Sequence, residues 1–474
     1  MEIKKYNFNG KILIIGLGSV GQGVLPLLLR HFDTKPEDIV IVTADKRGED
    51  VANKYGIRFI IDPLTPDNYE KIVLSHIGMG DFLLNVSVDV SSAALIELCQ
   101  RNGILYLDTC IEPWPGGYTD PSKSISERSN YALREGALAL RKLTGIDDPR
   151  PTAIVGHGAN PGVVSHFVKE ALLNIARDTG YETETPVSRE EWACLAQALG
   201  IKVIHIAERD TQMSQTPKRI GEFINTWSID GFFSEGSQPS EMGWGTHEKK
   251  LPDGGKRHDF GCDCAIYLEQ PGFLTKVRSW TPTAKSQHAW IITHNESISI
   301  ADFFTIKENG KAVYRPTVHY AYHPCDGAVL SLFELAGKNG ELQKDQRLIT
   351  DEILPGGVDE LGVLLMGHKK NAYWYGARLS IDEARKLAPH NNATSLQVTA
   401  SILGAMVWAM QNPNAGIIDS DESEHDIVMD VARPYLGEIF GVYTDWTPLQ
   451  GRGKLFPEKM DEEDPWQFEN FRVS

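Results

Sequence analysis

Along the first 160 residues, short unbroken apolar runs alternate with longer stretches whose apolar positions recur every three or four residues. The runs KILIIG (11–16), DIVIVTAD (38–45), RFIID (58–62), DFLLNVSV (81–88), ILYLDTC (104–110) and PTAIVG (151–156) have the length and composition of strands buried on both faces. Helical stretches lie between them. Six strands with helical crossovers predict an α/β doubly wound parallel sheet, whose ligands bind at the carboxyl ends of the strands.

Past residue 160 the pattern changes. GVVSHFVKEALLNIA (162–176) has one apolar face and predicts a helix. Between about 258 and 323, HDFGCDCAIYLEQPG, HAWIITHN, ISIADFFTIKENGK and AVYRPTVHYAYHP predict an antiparallel or mixed sheet, with Asn309-Gly310 as a hairpin turn. Residues 161–392 therefore read as a second, α+β domain for substrate and dimerisation. ATSLQVTASILGAMVWAMQNP (393–413) is a helix stopped by proline, long enough to pack back over the first domain. The segment of about 393–430 is thus expected to complete the domain of residues 1–160. Residues 431–474 form an extension, and from about 444, with its acidic run DEEDPW, it is expected to be a surface strap.

Composition narrows the class. A chain of 474 residues exceeds one ordinary core, and its 41% apolar and 23% charged residues leave no room for a long disordered tract. The start, MEIKKYNFNGKILIIG, lacks the apolar core and cleavage site of a secretory signal. No apolar stretch approaches the ~20 residues of a membrane span. Six scattered cysteines show no disulfide framework, which points to a reducing, cytoplasmic setting. The net charge of −17 argues against a nucleic-acid partner and agrees with a cationic substrate.

At the end of the first run stands Gly16-Leu17-Gly18-Ser19-Val20-Gly21. The first glycine allows a tight turn, the second lets a pyrophosphate approach the backbone, and the third lets helix pack on strand. Because this motif follows a strand and opens a helix, it predicts a Rossmann dinucleotide site. Asp45, closing the second run, is placed to accept both ribose hydroxyls and to repel a 2′-phosphate, which favours NAD over NADP. Lys46 and Arg47 pull the other way, and Pro26 is expected to kink the first helix.

Seven segments spread along the chain carry a family resemblance: IIGLGSVGQGVLPLLLRH, NVSVDVSS, YLDTCIEPWPGGY, GHGANPG, IHIAERDTQ, NTWSIDGFFSEGSQPSEMGWGTHE and ITHNESISI. In these the sequence resembles the bacterial homospermidine synthases and, more distantly, the saccharopine and carboxynorspermidine dehydrogenases. The resemblance implies a homodimer that keeps NAD as a recycled group. It would make homospermidine from putrescine, or from putrescine and spermidine, through an imine that loses ammonia and takes up a second amine. It also implies that Trp227 offers an aromatic face to the cation and that Glu208, Glu235, Asp89, Asn160 and His294 surround the amines. Around the dinucleotide it implies Gly16, Gly18, Ser19, Val20, Gly21, Asp45, Asn85, Ser87, Asp108, Thr109, Asn160 and Pro161.

Each of these residues has a plainer reading. On sequence alone Trp227 reads as core, a reading the resemblance reverses; Glu208 reads as a solvated strand end or a partner of Arg209, and Glu235 as part of a polar loop with Gly236 and Ser237. Asp89 is placed to cap the next helix, and Asn160 before Pro161 looks like an N-cap with proline at the first helical position. His294, ending the run WIITH, is the best placed histidine for acid–base work. His258, Cys262 and Cys264 offer soft metal ligands, but structural zinc needs four and no companion pair is evident, so buried thiols in a strand are the better reading and no metal is expected. Two other functions stay open. One is an NAD(P)H-dependent dehydrogenase joining an amine to a keto acid or aldehyde, with Arg209, Arg219, Arg278 and Arg315 available for substrate carboxylates. The other is a dinucleotide-binding sensor without turnover.

Overall fold

A computed structural model describes residues 4–145 and 149–473. Strands β1 (Ile12–Ile15), β2 (Ile39–Thr43), β3 (Arg58–Ile61), β4 (Phe82–Asn85), β5 (Leu105–Asp108) and β6 (Ala153–Val155) pair in parallel in the order β3-β2-β1-β4-β5-β6. A seventh strand, Ile417–Asp419, adds beside β6 from far along the chain. Alternate residues face opposite sides of the sheet. Ile12, Ile14, Ile39 and Ile41 join the core shared with helix α1 (Ser19–His31), whereas Leu13, Ile15, Val40 and Val42 pack with Leu95 and Ile96 on the other side. Helix α1 runs through the buried Pro26 as one element. Most of the apolar runs outlast their strands at the carboxyl end. Asp45, Ser87, Thr109 and Cys110 stand in the loops beyond, where the chain leaves the sheet.

The second sheet is mixed and has eleven strands. Its centre is Val203–Asp210, parallel to Thr317–His323 and antiparallel to Val358–His368, which continues through Asn371–Ser380 to Glu438–Thr444. Asn309 and Gly310, at φ 49° and 77°, form the turn between Ile306–Glu308 and Lys311–Tyr314.

Several expectations are corrected. ISIADFF is not a strand: Glu296–Phe303 is a helix, buried on nearly every side. An all-apolar face leaves no periodicity by which a helix and a buried strand differ. His294 therefore lies in a loop ahead of that helix rather than at a strand end, since the preceding strand stops at Trp290. Cys262 and Cys264 precede the strand Ala265–Pro271 and are not within it. The tail is a surface strap only in part: residues 451–463 are largely exposed, but Trp446, Trp466, Phe468 and Phe471 are buried with Trp244 and Trp280, and Arg472–Val473 pairs with Lys276–Thr281. Ala393–Gln411 is long and apolar enough to cross a membrane, with a mean hydropathy of 1.3, yet 89% of its most apolar window is buried inside the fold. It is the central helix of the core, and just ahead of it Asn391 Nδ2 donates to Gly23 O of α1 at 2.9 Å.

Candidate active site

The carboxyl ends of β4, β5 and β6 meet the second sheet at a cavity of about 120 Å³. One side is Rossmann: Val20 from α1, Val86 and Ser87 after β4, Thr109, Cys110 and Glu112 after β5, and Gly158 to Asn160 after β6. The other side brings Glu208 and Asp359 from adjacent strands, Tyr320, Trp227, Glu235 and His294. Four acidic side chains converge here, and the lining includes no lysine or arginine.

Glu208 sits inside its strand, 3% exposed, so it is neither a solvated strand end nor bonded to Arg209. The Tyr320 hydroxyl donates to Glu208 Oε2, and Asn160 Nδ2 lies 3.5 Å from the same oxygen. Burial pushes the Glu208 carboxyl up to about 8. Burial, with Glu208 and Asp210 close by, raises Asp359 far more than an ordinary carboxyl. Glu235 belongs to the helix Ile229–Ser237 rather than a loop, and its Oε2 is 2.9 Å from His294 Nε2. On the opposite edge of that ring, His294 Nδ1 is 3.3 Å from Oε1 of the fully buried Glu296. Burial works to lower His294, but the Glu235 and Glu296 carboxylates outweigh it and hold the imidazole well above its usual range. Trp227 is half-buried on the pocket wall, with Nε1 3.4 Å from the Tyr322 hydroxyl and its ring 5.6 Å from that of Phe232.

The sequence alone did not single out Glu112, Asp359 or Tyr320. Glu112, four residues past the end of β5, is pushed up to about 8 by burial and by Glu235. It also lines a wider surface cavity of about 620 Å³ on its far side. The one local signal was an acidic residue two positions after the strand-end segment YLDTC. Asp359 had none, because only the pairing of Asp359 with Asp210 and of Leu361 with Glu208 sets it beside Glu208.

Residues 12–153 match the saccharopine dehydrogenase NADP binding domain, and residues 158–441 match the saccharopine dehydrogenase C-terminal domain. A homospermidine synthase of Blastochloris viridis is 52% identical over 473 residues, covering 99% of this chain and 98% of that protein. One from Mesorhizobium japonicum is 50% identical over 471 residues, 98% of this chain and 96% of its own length. The chain belongs to the homospermidine synthase family. The crystal structure of the homospermidine synthase of Legionella pneumophila, in complex with NAD, superposes with a TM-score of 0.92 at 49% identity, covering 99% of each chain.

The glycine loop of this family member fits a dinucleotide. Gly16 has φ 89°, and a Cβ there would strike Ser87 Cα at 2.9 Å; a Cβ on Gly21 would strike Gly16 O at 2.8 Å. A Cβ on Gly18 would meet nothing within 4 Å, so open space faces the loop where phosphate is expected. Helix α1 has no side-chain cap and no acidic residue in its first turn, which leaves its N–H groups free for an anion. Ser19 Oγ donates to Trp227 O at 3.1 Å and ties this loop to the Trp227 wall of the cavity. Asp45 accepts from Arg47 N and Nε, each at 2.8 Å.

Other anticipated residues stand back from the cavity. Asn85 and Asp108 are buried and support the loops: Asn85 Oδ1 accepts from Ser87 Oγ at 2.6 Å, and Asp108 accepts from Gly156 N at 2.6 Å and from Tyr106 at 2.8 Å. Asp89 is exposed and does not cap the following helix, whose cap is Ser91; its N–H lies 3.4 Å from Glu112 Oε2. Asn160 is likewise no cap, because the next helix starts at Val163 after Gly162, and Pro161 O accepts from Gly158 N. The four arginines are engaged away from the pocket: Arg209 with Asp326, Arg219 with Glu222, Arg278 with Arg472 O and Arg315 with Trp244 O. His258 pairs with Ser126 and Glu241, apart from the thiols. Cys262, Cys264 and Asp302 do cluster, but the Arg134 guanidinium lies 2.9 Å from Asp302 and 3.7 Å from Cys262 Sγ and supplies the positive charge there.

Proposed function

We propose that this protein joins two putrescine molecules into homospermidine, with NAD held on the Rossmann domain and regenerated in every cycle. The observation that carries this reading is a pocket of four buried acids and an indole, with no lysine or arginine in its lining and with its histidine held between Glu235 and Glu296, at the carboxyl ends of the parallel strands. Diamines bring two ammonium groups, and such a lining suits them. The dinucleotide supplies reversible two-electron chemistry at an amine-bearing carbon, which makes that carbon an imine long enough for ammonia to leave and a second amine to enter.

The protein side chains divide the remaining work. Glu208, with a carboxyl that titrates near neutrality, takes the proton from the reacting ammonium, and Tyr320 and Asn160 fix its carboxylate. Glu235, braced by His294, anchors a second ammonium. Trp227 offers a face along which the cation moves without a fixed partner. Burial of the whole constellation keeps water from the imine. Spermidine carries the same aminobutyl group and is a donor by the same contacts. Asp45 would favour NAD over the 2′-phosphorylated cofactor, and Ser87 and Thr109 would hold its nicotinamide end. The reading includes a homodimer in the cytoplasm, which sedimentation and fractionation test.

A dehydrogenase that condenses an amine with a keto acid needs a cation for the carboxylate, and Arg209, Arg219, Arg278 and Arg315 are committed elsewhere. Incubation with putrescine and substoichiometric NAD, followed by mass analysis, is the direct test. Homospermidine in excess of the NAD supplied, with no net rise in reduced-nicotinamide absorbance, is the expected result. Reduced cofactor rising in step with product would favour the dehydrogenase, and tight NAD binding without product would favour a sensor.

A further inference from the structure

The helix Ala393–Gln411 turns Thr394, Gln397 and Val398 toward the pocket, positions three and four apart that share one helix face. Thr394 accepts from Gln212 Nε2 at 3.0 Å and lies beside Asp359. Val398 borders Gly158, where a Cβ would come within 3.3 Å of Val398 Cγ1. Gln397 lies on the same face between these two contacts. Its side chain is completely buried, and neither Oε1 nor Nε2 has a hydrogen-bond partner in the protein. A buried primary amide with both ends unpaired is costly, and folded chains rarely tolerate one without a role. Asp359 lines the same cavity, and neither of its oxygens makes a hydrogen bond of good geometry. The same cavity thus holds an amide and a carboxyl group whose polar atoms all lack hydrogen-bond partners in the protein.

We propose that the Gln397 amide is a direct ligand of the amine nitrogen held by Glu208 and Asp359. This assignment rests on the diamine reading above. An amide suits a nitrogen that changes its protonation state, because it does not titrate itself. Its Oε1 accepts an N–H from ammonium or amine alike, and its Nε2 donates to the lone pair once the nitrogen is neutral. The carboxylates favour the charged amine alone. Gln397 therefore holds the reacting nitrogen in register while Glu208 takes its proton, and it discriminates for a chain end that is an amine.

The test compares Gln397→Met, which keeps the length and removes both polar ends, with the parent holoenzyme. Three measurements are needed: steady-state kinetics with putrescine, NAD affinity, and melting temperature. Gln397→Met is expected to melt at or above the parent temperature, because an unpaired buried amide has been removed. It should bind NAD with unchanged affinity and raise the putrescine KM roughly ten-fold. Gln397→Glu should depress kcat and shift the pH profile, since it adds a third titrating group to the pair. Unaltered putrescine kinetics in an active Gln397→Met protein would overturn the assignment. So would a loss of NAD affinity matching the loss of activity, which would make the amide a cofactor ligand, or a lowered melting temperature, which would make it structural. A parent that makes no homospermidine overturns the diamine reading beneath it, whereas an active parent with an unaffected variant overturns only the role of Gln397.

Discussion

At the scale of single residues, His294 shows how neighbours decide chemistry. Lying between Glu235 and Glu296, it stays protonated where a buried imidazole would otherwise lose its charge. Glu296→Gln removes one carboxylate and keeps the shape, so the His294 pKa should fall. The alkaline limb of the kcat/KM profile should move down with it, and an unmoved limb would mean that His294 does not act in its charged form. Trp227 should fail by degrees. A cation over an indole gains about 0.5–2 kcal/mol, so Trp227→Phe should keep part of the activity and Trp227→Ala should lose most of it. A Trp227→Ala protein that melts like the parent and turns over at the parental rate would remove the indole from the site. Asp45 holds Arg47 through two hydrogen bonds. Asp45→Ser should release that guanidinium for a 2′-phosphate and raise the use of NADP relative to NAD in competition assays. Trp227, Glu208, Glu235 and His294 were legible as candidates because their segments are distinctive. Glu112 and Asp359 were not, because each meets the other acids only through the tertiary fold, Glu112 against Glu235 of a distant helix and Asp359 through the pairing of its strand with that of Glu208.

At the scale of elements, the six parallel strands were readable because five of them are short apolar runs buried along their length, and the sixth, the edge strand Arg58–Ile61, kept its apolar run while partly exposed; most of the runs overran their strands by a residue or more at both ends. Glu296–Phe303 was unreadable for the opposite reason: burial on all sides erased its period. The acidic tail misled in a third way, since its charges mask four aromatic residues that enter the core. Elements from distant parts of the chain are also joined by a buried ion group. Arg134, 2% exposed, reaches Asp302 at 2.9 Å and Asp419 at 2.5 Å, and so ties the helix Asn130–Ala139 to Glu296–Phe303 and to the seventh strand. Arg134→Met leaves the buried Asp419 without its cation and Asp302 with Arg189 alone, and should cost about 3–5 kcal/mol in denaturant unfolding. Adding Asp302→Asn and Asp419→Asn should recover much of that loss. A triple variant no more stable than Arg134→Met would mean that the guanidinium stem, not its charge, holds the elements together.

At the scale of the whole molecule, the clustered acids should make stability depend on pH in a way that substrate reverses. Burial raises Glu208 and Glu112 to about 8 and Glu248 to about 7, against the usual range of about 4 for a carboxyl in the unfolded chain. Over that interval the folded protein holds protons that the unfolded chain has lost, so stability falls as pH rises. Buried histidines oppose this below about 6.5, because burial lowers His157 to about 3 and His319 to about 4. Above about 6.5 these are neutral in both states and drop out. His294, raised instead of lowered, then adds to the decline, since its proton is retained only in the folded state. The melting temperature of the free protein should therefore fall between about pH 6.5 and pH 8. Putrescine should oppose the fall, because its ammonium groups stabilise Glu208, Glu112 and Asp359 as carboxylates, and its stabilising shift should grow toward pH 8. Calorimetry with and without putrescine across that range checks both halves. A free-protein melting temperature that is flat or rises from pH 6.5 to 8 would show that the acids are already ionised in the folded state. A putrescine shift that shrinks toward pH 8 would place the diamine away from them.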